Sequence, residues 1–279
     1  MIPISPDLDR FFIGRLIMKR TKINIDIQSF PKEVTNIIKD ADIYDSSCSQ
    51  EAHVYFIDKG KGYFLKEAPF GALKTEALMH DYFNSLKFTS PVVLYKNTEN
   101  KDYLLTERVV GEDCLDERYM SNPEKLCDVL GETLRILHDK SVKDCPVCDK
   151  ADLYINSVKK GYESGRYEYD LFEGICDFAS KDEAWKAAKE GIDILERNTL
   201  IHGDYCLPNI MLDNWRFSGF IDLGSSGIAD RHIDILWGIW TLKFNLGTDK
   251  YTDRFIDAYG RDKVDKDKLR CIAAMEMFG

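Results

Sequence analysis

Residues 200–224 constrain the fold of this chain more than any other stretch. They begin Leu200-Ile201-His202-Gly203-Asp204-Tyr205-Cys206-Leu207-Pro208-Asn209-Ile210-Met211-Leu212, turn at Asp213-Asn214, and close on Phe220-Ile221-Asp222-Leu223-Gly224. Short apolar runs bounded by turn residues are strand signals. Two strands therefore hold a polar loop that carries Asp204 and, five residues on, Asn209, while a third strand ends in Asp222. Asp, Asn and Gly are ordinary turn residues, so a lone Asp-x-x-x-x-Asn would read as a surface loop. Three such features in order between apolar strands read as a site.

The spacing suits phosphoryl transfer. That reaction needs a carboxylate beside the attacking hydroxyl and one or two divalent cations to neutralise nucleotide phosphates. Asp204 is the candidate catalytic base. Asn209 and Asp222 are candidate ligands of Mg²⁺, which takes hard oxygen donors. The order and inner spacing match H-R-D-x-x-x-x-N followed by D-F-G in protein kinases, with Gly203 in place of Arg and Leu223 in place of Phe. His202 is expected to be structural.

Taken with Ser218-Gly219-Phe220-Ile221-Asp222-Leu223-Gly224 and Ala229-Asp230-Arg231-His232-Ile233-Asp234-Ile235, this loop resembles the aminoglycoside phosphotransferases, and most of all their 3′-phosphotransferase branch. The likeness is dense over residues 198–240 and sparser, but in order, from about residue 40. It implies an α+β, eukaryotic-protein-kinase-like two-lobe fold, with a small antiparallel-sheet N-terminal lobe (1–107, nucleotide-binding) and a mostly helical C-terminal lobe (108–279, catalytic and acceptor-binding). It also implies transfer of the γ-phosphoryl group of ATP or GTP, with Mg²⁺, to an antibiotic hydroxyl.

Composition agrees with a globular enzyme and excludes other classes. The 279 residues allow two lobes with substantial cores. A balance of 38 basic against 48 acidic residues gives a net charge of −10, which opposes binding to nucleic acid or an anionic membrane and favours a cationic small molecule. No apolar run is long enough for a transmembrane helix. Eight scattered cysteines and no cleavable signal sequence make cytoplasm the expected location. A monomer is expected. Cys145-Pro146-Val147-Cys148 has C-x-x-C spacing, but no second pair follows, so a loop after a helix is the expectation.

Along the chain, Phe11 to Arg20 suggests a helix packed on the small lobe, and residues 31–39 a short helix behind Pro31. Tyr44 to Ser49, Ala52 to Ile57 and Tyr63 to Lys66 read as antiparallel strands, the last two joined by Asp58-Lys59-Gly60-Lys61-Gly62. The connection Ser46 to Glu51 lacks G-x-G-x-x-G and would cover the phosphates, which makes Ser49 a candidate phosphate contact. Lys66 ends its strand and can reach the α- and β-phosphates, with Glu76 on the next helix as its ion-pair partner. Strands around Val92 to Tyr95 and Tyr103 to Glu107 lead into Thr106, Glu107, Arg108 and Val109, candidates for the adenine edge by position only. Asn122-Pro123 starts a helix with Leu126, Leu130, Leu134 and Leu137 on one face. His138 closes it as a structural histidine, since charge at a helix C-terminus is favourable. Residues 150–197 are helical in bias around an aromatic-rich insert, Tyr162 to Phe178, which in the family helps to form the acceptor side. Glu163, Glu168, Asp170 and Glu173 there can be solvated or ligands.

Three positions depart from the 3′-phosphotransferase pattern. Ser225 stands where that branch commonly has arginine. Phe244-Asn245 stand where kanamycin-type enzymes can have an acidic pair. The sequence keeps Glu276, a candidate acceptor ligand, but runs one residue past Phe278. The transfer residues are thus complete while the acceptor clamp is altered. A kinase of choline, homoserine or a sugar derivative on the same fold is the alternative, and a pseudokinase acting as a binding module would usually have lost Lys66, Asp204 or Asp222.

Overall fold

The computed structural model describes residues 20–47 and 52–279. The expected helix over Phe11 to Arg20, apart from Arg20 itself, and the expected phosphate contact Ser49 lie outside the described residues. Among those described, β1 (Thr21–Lys22), β2 (Asp42–Asp45), β3 (His53–Asp58), β4 (Tyr63–Pro69), β5 (Val92–Asn97) and β6 (Lys101–Glu107) form one sheet in the order β1-β2-β3-β4-β6-β5. Every neighbouring pair is antiparallel.

The two-residue period of a strand divides this sheet into two faces. Ile43, Tyr55, Ile57, Leu65 and Leu105 point to one face and bury against Phe30 and against Val34 and Ile38 of α1 (Lys32–Ile38). On the other face Lys66 pairs across β3 with Val54, Phe64 pairs with Phe56, and Phe56 in turn with Tyr44. Lys66 does not end its strand as the sequence suggests, because β4 continues to Pro69 in register with Lys101 of β6. Its side chain leaves the middle of a strand held on both edges, a stiffer mount than a strand end. α2 (Lys74–Ser85) follows and carries Glu76 in its first turn.

Beyond β6 the chain is mostly helical. β7 (Glu112–Asp113) and α3 (Glu117–Met120) lead to α4 (Pro123–His138), where the Asn122 side chain accepts from Lys125 N–H and Pro123 opens the first turn. Leu126, Leu130, Leu134 and Leu137 are fully or almost fully buried in one large core with α5 (Lys150–Glu163) and α6 (Lys181–Ile194). Next come β8 (Thr199–Ile201), β9 (Ile210–Asp213), β10 (Arg216–Phe220) and β11 (Gly227–Ala229). β9 lies between β10 and β7, and β8 pairs with β11. α7 (His232–Leu246), α8 (Thr252–Tyr259) and α9 (Lys266–Glu276) complete the fold. α7 is apolar on nearly all sides and runs through this core, as an all-round hydrophobic helix must. None of the helices among the described residues is long and apolar enough to cross a membrane.

Candidate active site

The loop between β8 and β9 is clamped by one buried carboxylate. Asp234 on α7 has no exposed surface and accepts from His202 N–H at 2.7 Å, Gly203 N–H at 2.7 Å and the His138 ring at 3.1 Å. A carboxylate inside an apolar helix is tolerable only when its charge is met by donors. Here it is, and those donors belong to the loop that must be aimed. The His202 ring bridges the Ile221 carbonyl (3.0 Å) and Asp204 N–H (3.2 Å), joining the two halves of the site. His202 is thus structural in its contacts. Gly203 has φ of +81°, and a Cβ there would lie 2.1 Å from the Ser225 carbonyl oxygen. That close approach explains why glycine replaces the arginine of the protein-kinase pattern.

Asp204 and Asn209 meet as the spacing predicts. Asn209 Nδ2 donates to Asp204 Oδ2 at 2.8 Å and to the Asp204 carbonyl at 3.0 Å. Burial, and then the neighbouring charge of Asp222, push the Asp204 carboxyl above the usual carboxylate range, while His202, Cys206 and Asn209 oppose the shift. A carboxylate with raised proton affinity accepts a hydroxyl proton more readily.

Lys66 joins the sheet to this loop. Its Nζ is 2.6 Å from Glu76 Oε1 and 2.8 Å from Asp222 Oδ1, residues 10 and 156 positions away in sequence. Burial opposes the ammonium, but Asp222 and Glu76 outweigh it and raise its pKa. Glu76 is almost fully buried; burial raises its pKa and the Lys66 charge opposes the rise. Asp222 is about half exposed (54%) and adopts left-handed backbone angles, φ 60° and ψ 59°. That conformation costs an L-residue about 1–2 kcal/mol, and it turns the carboxylate into the cleft beside Lys66.

These residues fit a divalent cation. Two N–H bonds to Asp204 commit the Asn209 amide nitrogen and leave its oxygen for a ligand role, and Asp222 offers a second hard oxygen. No group of three His, Cys, Asp or Glu gathers for a metal among the described residues. Such a sparse set suits Mg²⁺, which keeps waters and takes further oxygens from substrate phosphates.

Thr106, Glu107 and Arg108 sit where β6 leaves the sheet. Thr106 lies opposite Phe64 on β4, and Arg108 N–H donates to the Gly62 carbonyl at 3.0 Å. Glu107 and Arg108 line a cavity of about 420 Å³ with Lys61, Thr89, Ser90 and Ser218. Thr106, Lys66, Asp204, Asn209 and Asp222 do not line it, so this cavity is separate from the chemistry. Phe64, which the motifs do not single out, shares Lys66's face two residues earlier and packs 5.3 Å from Phe56. The Arg20 guanidinium lies 3.9 Å over the Phe56 ring. The two-residue period was the signal for Phe64.

Glu276 ends α9 and is close enough to Asp204 for that charge to add to the rise in its pKa. Burial raises its carboxyl to about 7, opposed by the nearby polar groups of Tyr154 and Trp237 and by the charge of Lys150; the buried Tyr154 hydroxyl itself has no hydrogen-bond partner. Nothing in the spacing of these residues singled them out. Phe244 is exposed and stacks on Trp240, centroids 4.9 Å apart, and Asn245 turns its amide back onto Thr241. His138 corrects one expectation. It is structural, but burial lowers its pKa, and it is held by Tyr259 at 2.9 Å and Asp234 rather than favoured as an exposed charge. Cys145 and Cys148 are free thiols in the loop before α5.

Comparison with known proteins decides the family. A family model described as the phosphotransferase enzyme family matches residues 48–272. A probable aminoglycoside 3′-phosphotransferase of Lactococcus lactis subsp. lactis (strain IL1403) is 45% identical over 258 residues, covering 92% of this chain and 98% of that protein. The chain belongs to the aminoglycoside phosphotransferase family. A crystal structure of a type VIII aminoglycoside 3′-phosphotransferase superposes with a TM-score of 0.67 at 21% identity, covering 83% of this chain and 90% of that one. An aminoglycoside phosphotransferase from Streptomyces rimosus in complex with ADP and streptomycin gives 0.62 at 20% identity, covering 81% and 90%. At such identities the likeness establishes the kinase-like fold of this phosphotransferase.

Proposed function

We propose that this phosphotransferase moves the γ-phosphoryl group of ATP or GTP to a hydroxyl of an aminoglycoside, the 3′-hydroxyl in the first instance. The observation that carries the reading is the Lys66 ammonium between Glu76 and Asp222, at 2.6 and 2.8 Å. It gathers a nucleotide-type cation, its helix partner and a metal-type carboxylate beside Asp204. The relative from Lactococcus lactis supports the acceptor class, and the ADP held by the Streptomyces rimosus structure supports the nucleotide.

In this reading Lys66 contacts the α- and β-phosphates, and Glu76 keeps it charged and aimed. Thr106, Glu107 and Arg108 offer backbone groups to the base, and the Phe64 ring its apolar face. We take the lobe boundary at Glu107 and Arg108, where β6 ends. Asn209 and Asp222 hold Mg²⁺, which when bound would neutralise phosphate charge. Asp204 orients the acceptor hydroxyl and accepts its proton, with Asn209 and the Asp234-clamped backbone fixing its aim. Glu276 faces the acceptor. The enzyme is taken to be a cytoplasmic monomer acting on a small cationic molecule, not on nucleic acid or a membrane, in keeping with a net charge of −10.

A panel of acceptors read by nucleoside diphosphate release tests this. Release stimulated by aminoglycosides is expected. Release stimulated only by choline, homoserine or a sugar alcohol would overturn the acceptor class while leaving the reaction type intact.

A further inference from the structure

The helix that carries Glu76 is shared between the sheet and the helical part of the chain. Met79 and Phe83 of α2 belong to the large core. One turn beyond Glu76 the His80 ring donates to the Ser90 carbonyl at 2.9 Å, and the neighbouring Thr89 hydroxyl donates to the Phe220 carbonyl of β10 at 2.7 Å. The far half of α2 is thus fastened away from the sheet. Its first half faces the sheet. Leu73, Glu76, Ala77 and His80 are buried, and their spacing of three and four residues puts them on one face. Leu73 and Ala77 cluster with Ala68 and Leu104. Leu104 lies opposite Lys66, and Ala68 lies opposite Asp102. Residues two apart on a strand share a face, so Lys66 and Asp102 leave the sheet on the same side, towards α2.

Asp102 has no exposed surface, and its Oδ2 accepts from Leu73 N–H and from the Tyr95 hydroxyl, each at 3.0 Å. Burial raises the Tyr95 hydroxyl to about 12 and Asp102 adds to the rise, which keeps it a donor. Leu73 opens α2 and no side chain of the helix's own caps that end. A residue of β6 supplies the missing acceptor. The other oxygen of Asp102, Oδ1, is buried without a partner. A buried polar atom left unpaired costs stability, so Asp102 is a poor way to stabilise the fold and calls for another account.

We infer that Asp102 is a positioning residue for the nucleotide phosphate site: it fastens the start of α2 to the sheet face that carries Lys66, and so sets Glu76, three residues on, against the ammonium. The inference rests on the phosphotransfer reading above, in which Lys66 meets phosphate. Lys66 is 2.6 Å from Glu76 and 2.8 Å from Asp222. In that reading Asp222 turns to the metal when nucleotide arrives, and Glu76 alone keeps the ammonium aimed. Without the Asp102 contact, α2 would follow the part of the chain that holds its far half. A displacement of about 1 Å at Glu76 is enough to carry its contact with Lys66 beyond hydrogen-bond range.

The test is a double-mutant cycle between Asp102→Ala and Glu76→Ala, read by calorimetric binding of ATP, and in parallel GTP, with Mg²⁺ and without acceptor. Asp102→Ala should weaken nucleotide binding about tenfold on its own and by less than about twofold once Glu76 is alanine, since it acts through Glu76. Asp102→Asn keeps an accepting oxygen for Leu73 N–H and should stay within about threefold of wild type. Should Asp102→Ala not fold, Asp102→Leu combined with Tyr95→Phe takes its place in the cycle. Replacing both ends of a buried hydrogen bond by apolar groups is tolerated far better than removing one, and the same dependence on Glu76 is expected. A merely structural Asp102 would lower the melting temperature without any such dependence. Nucleotide affinity that is unchanged, or lost equally with and without Glu76, would overturn the inference while leaving the function intact, as would an Asp102→Asn as weak as Asp102→Ala. No binding of ATP or GTP by any of the proteins, wild type included, would overturn the functional reading and the inference with it.

Discussion

At the proposed transfer centre, groups from separate elements meet through direct bonds: Lys66 reaches Glu76 and Asp222, Asn209 reaches Asp204, and Asp234 holds the loop. On the proposed acceptor side, Glu276 is buried near Tyr154, Trp237 and the charge of Lys150, and Trp237, Trp240 and Phe244 form a run of packed rings. The first region leaves charges turned towards what must arrive, phosphate and metal. The second presents packed rings and a carboxyl that burial holds towards its neutral form. A protein of this kind can therefore keep the reaction constant while its choice of acceptor changes, since the two regions share only the neighbourhood of Asp204.

The sharpest way to break the comparison is at Asp204 itself. Asp204→Asn keeps the side-chain size and removes the charge that accepts the hydroxyl proton, so turnover should fall by at least ~10²-fold. Nucleotide affinity, measured by calorimetry, should stay within a few-fold. Lys66→Ala should come next, losing charge-assisted contacts worth roughly 1.5–3 kcal/mol each in nucleotide binding; unchanged affinity and turnover would remove Lys66 from the site. It also strands the buried Glu76, so Lys66→Met with Glu76→Gln should regain stability but not binding.

A third substitution separates support from chemistry. Asp234→Ala withdraws the acceptor from two loop N–H groups and from His138, and hydrogen bonds to a charged group contribute about 1.5–3 kcal/mol each. The melting temperature should drop, and turnover should fall through misplacement of Asp204. A variant as stable and active as wild type would show that the loop holds itself.

The smallest expected effect belongs to the acceptor side. Glu276 is raised to about 7, so the folded form holds its proton more tightly than the unfolded one. Its neutral form adds stability below the ordinary glutamate pKa, and that stability is lost as pH rises through about 7. Glu276→Gln should therefore gain in melting temperature relative to wild type between about pH 5 and pH 8. A difference that stays flat with pH would mean that Glu276 is not in the environment described.

The transfer centre was legible because its chemistry is written in short spacings. Asp204 to Asn209 is one loop, Asp222 follows two residues after the hairpin β9–β10 ends at Phe220, and Lys66 and Glu76 sit on adjacent elements. The strands could be read from short apolar runs bounded by turn residues, though β4 runs on past Lys66 to Pro69. Asp234 was in plain view as a lone carboxylate in Ile233-Asp234-Ile235-Leu236-Trp237. Its partners are backbone N–H groups, which have no signature in sequence. The proposed acceptor side was illegible for a different reason: Lys150, Trp237 and Glu276 come from three helices, and it is tertiary packing, with no spacing in sequence, that brings them near one another. His138 shows the limit of local rules, since position in the helix predicted its structural role but not its burial or the Asp234 contact.

Acceptor-dependent release of nucleoside diphosphate by wild type and by Asp204→Asn, in parallel and at saturating nucleotide, tests the central claim most directly. The structure predicts release that an aminoglycoside stimulates in wild type and that falls by ~10²-fold or more in the variant, with both proteins equally folded and equally able to bind nucleotide. Release within a few-fold of wild type in Asp204→Asn, with the acceptor saturating, would contradict the assignment of the catalytic loop.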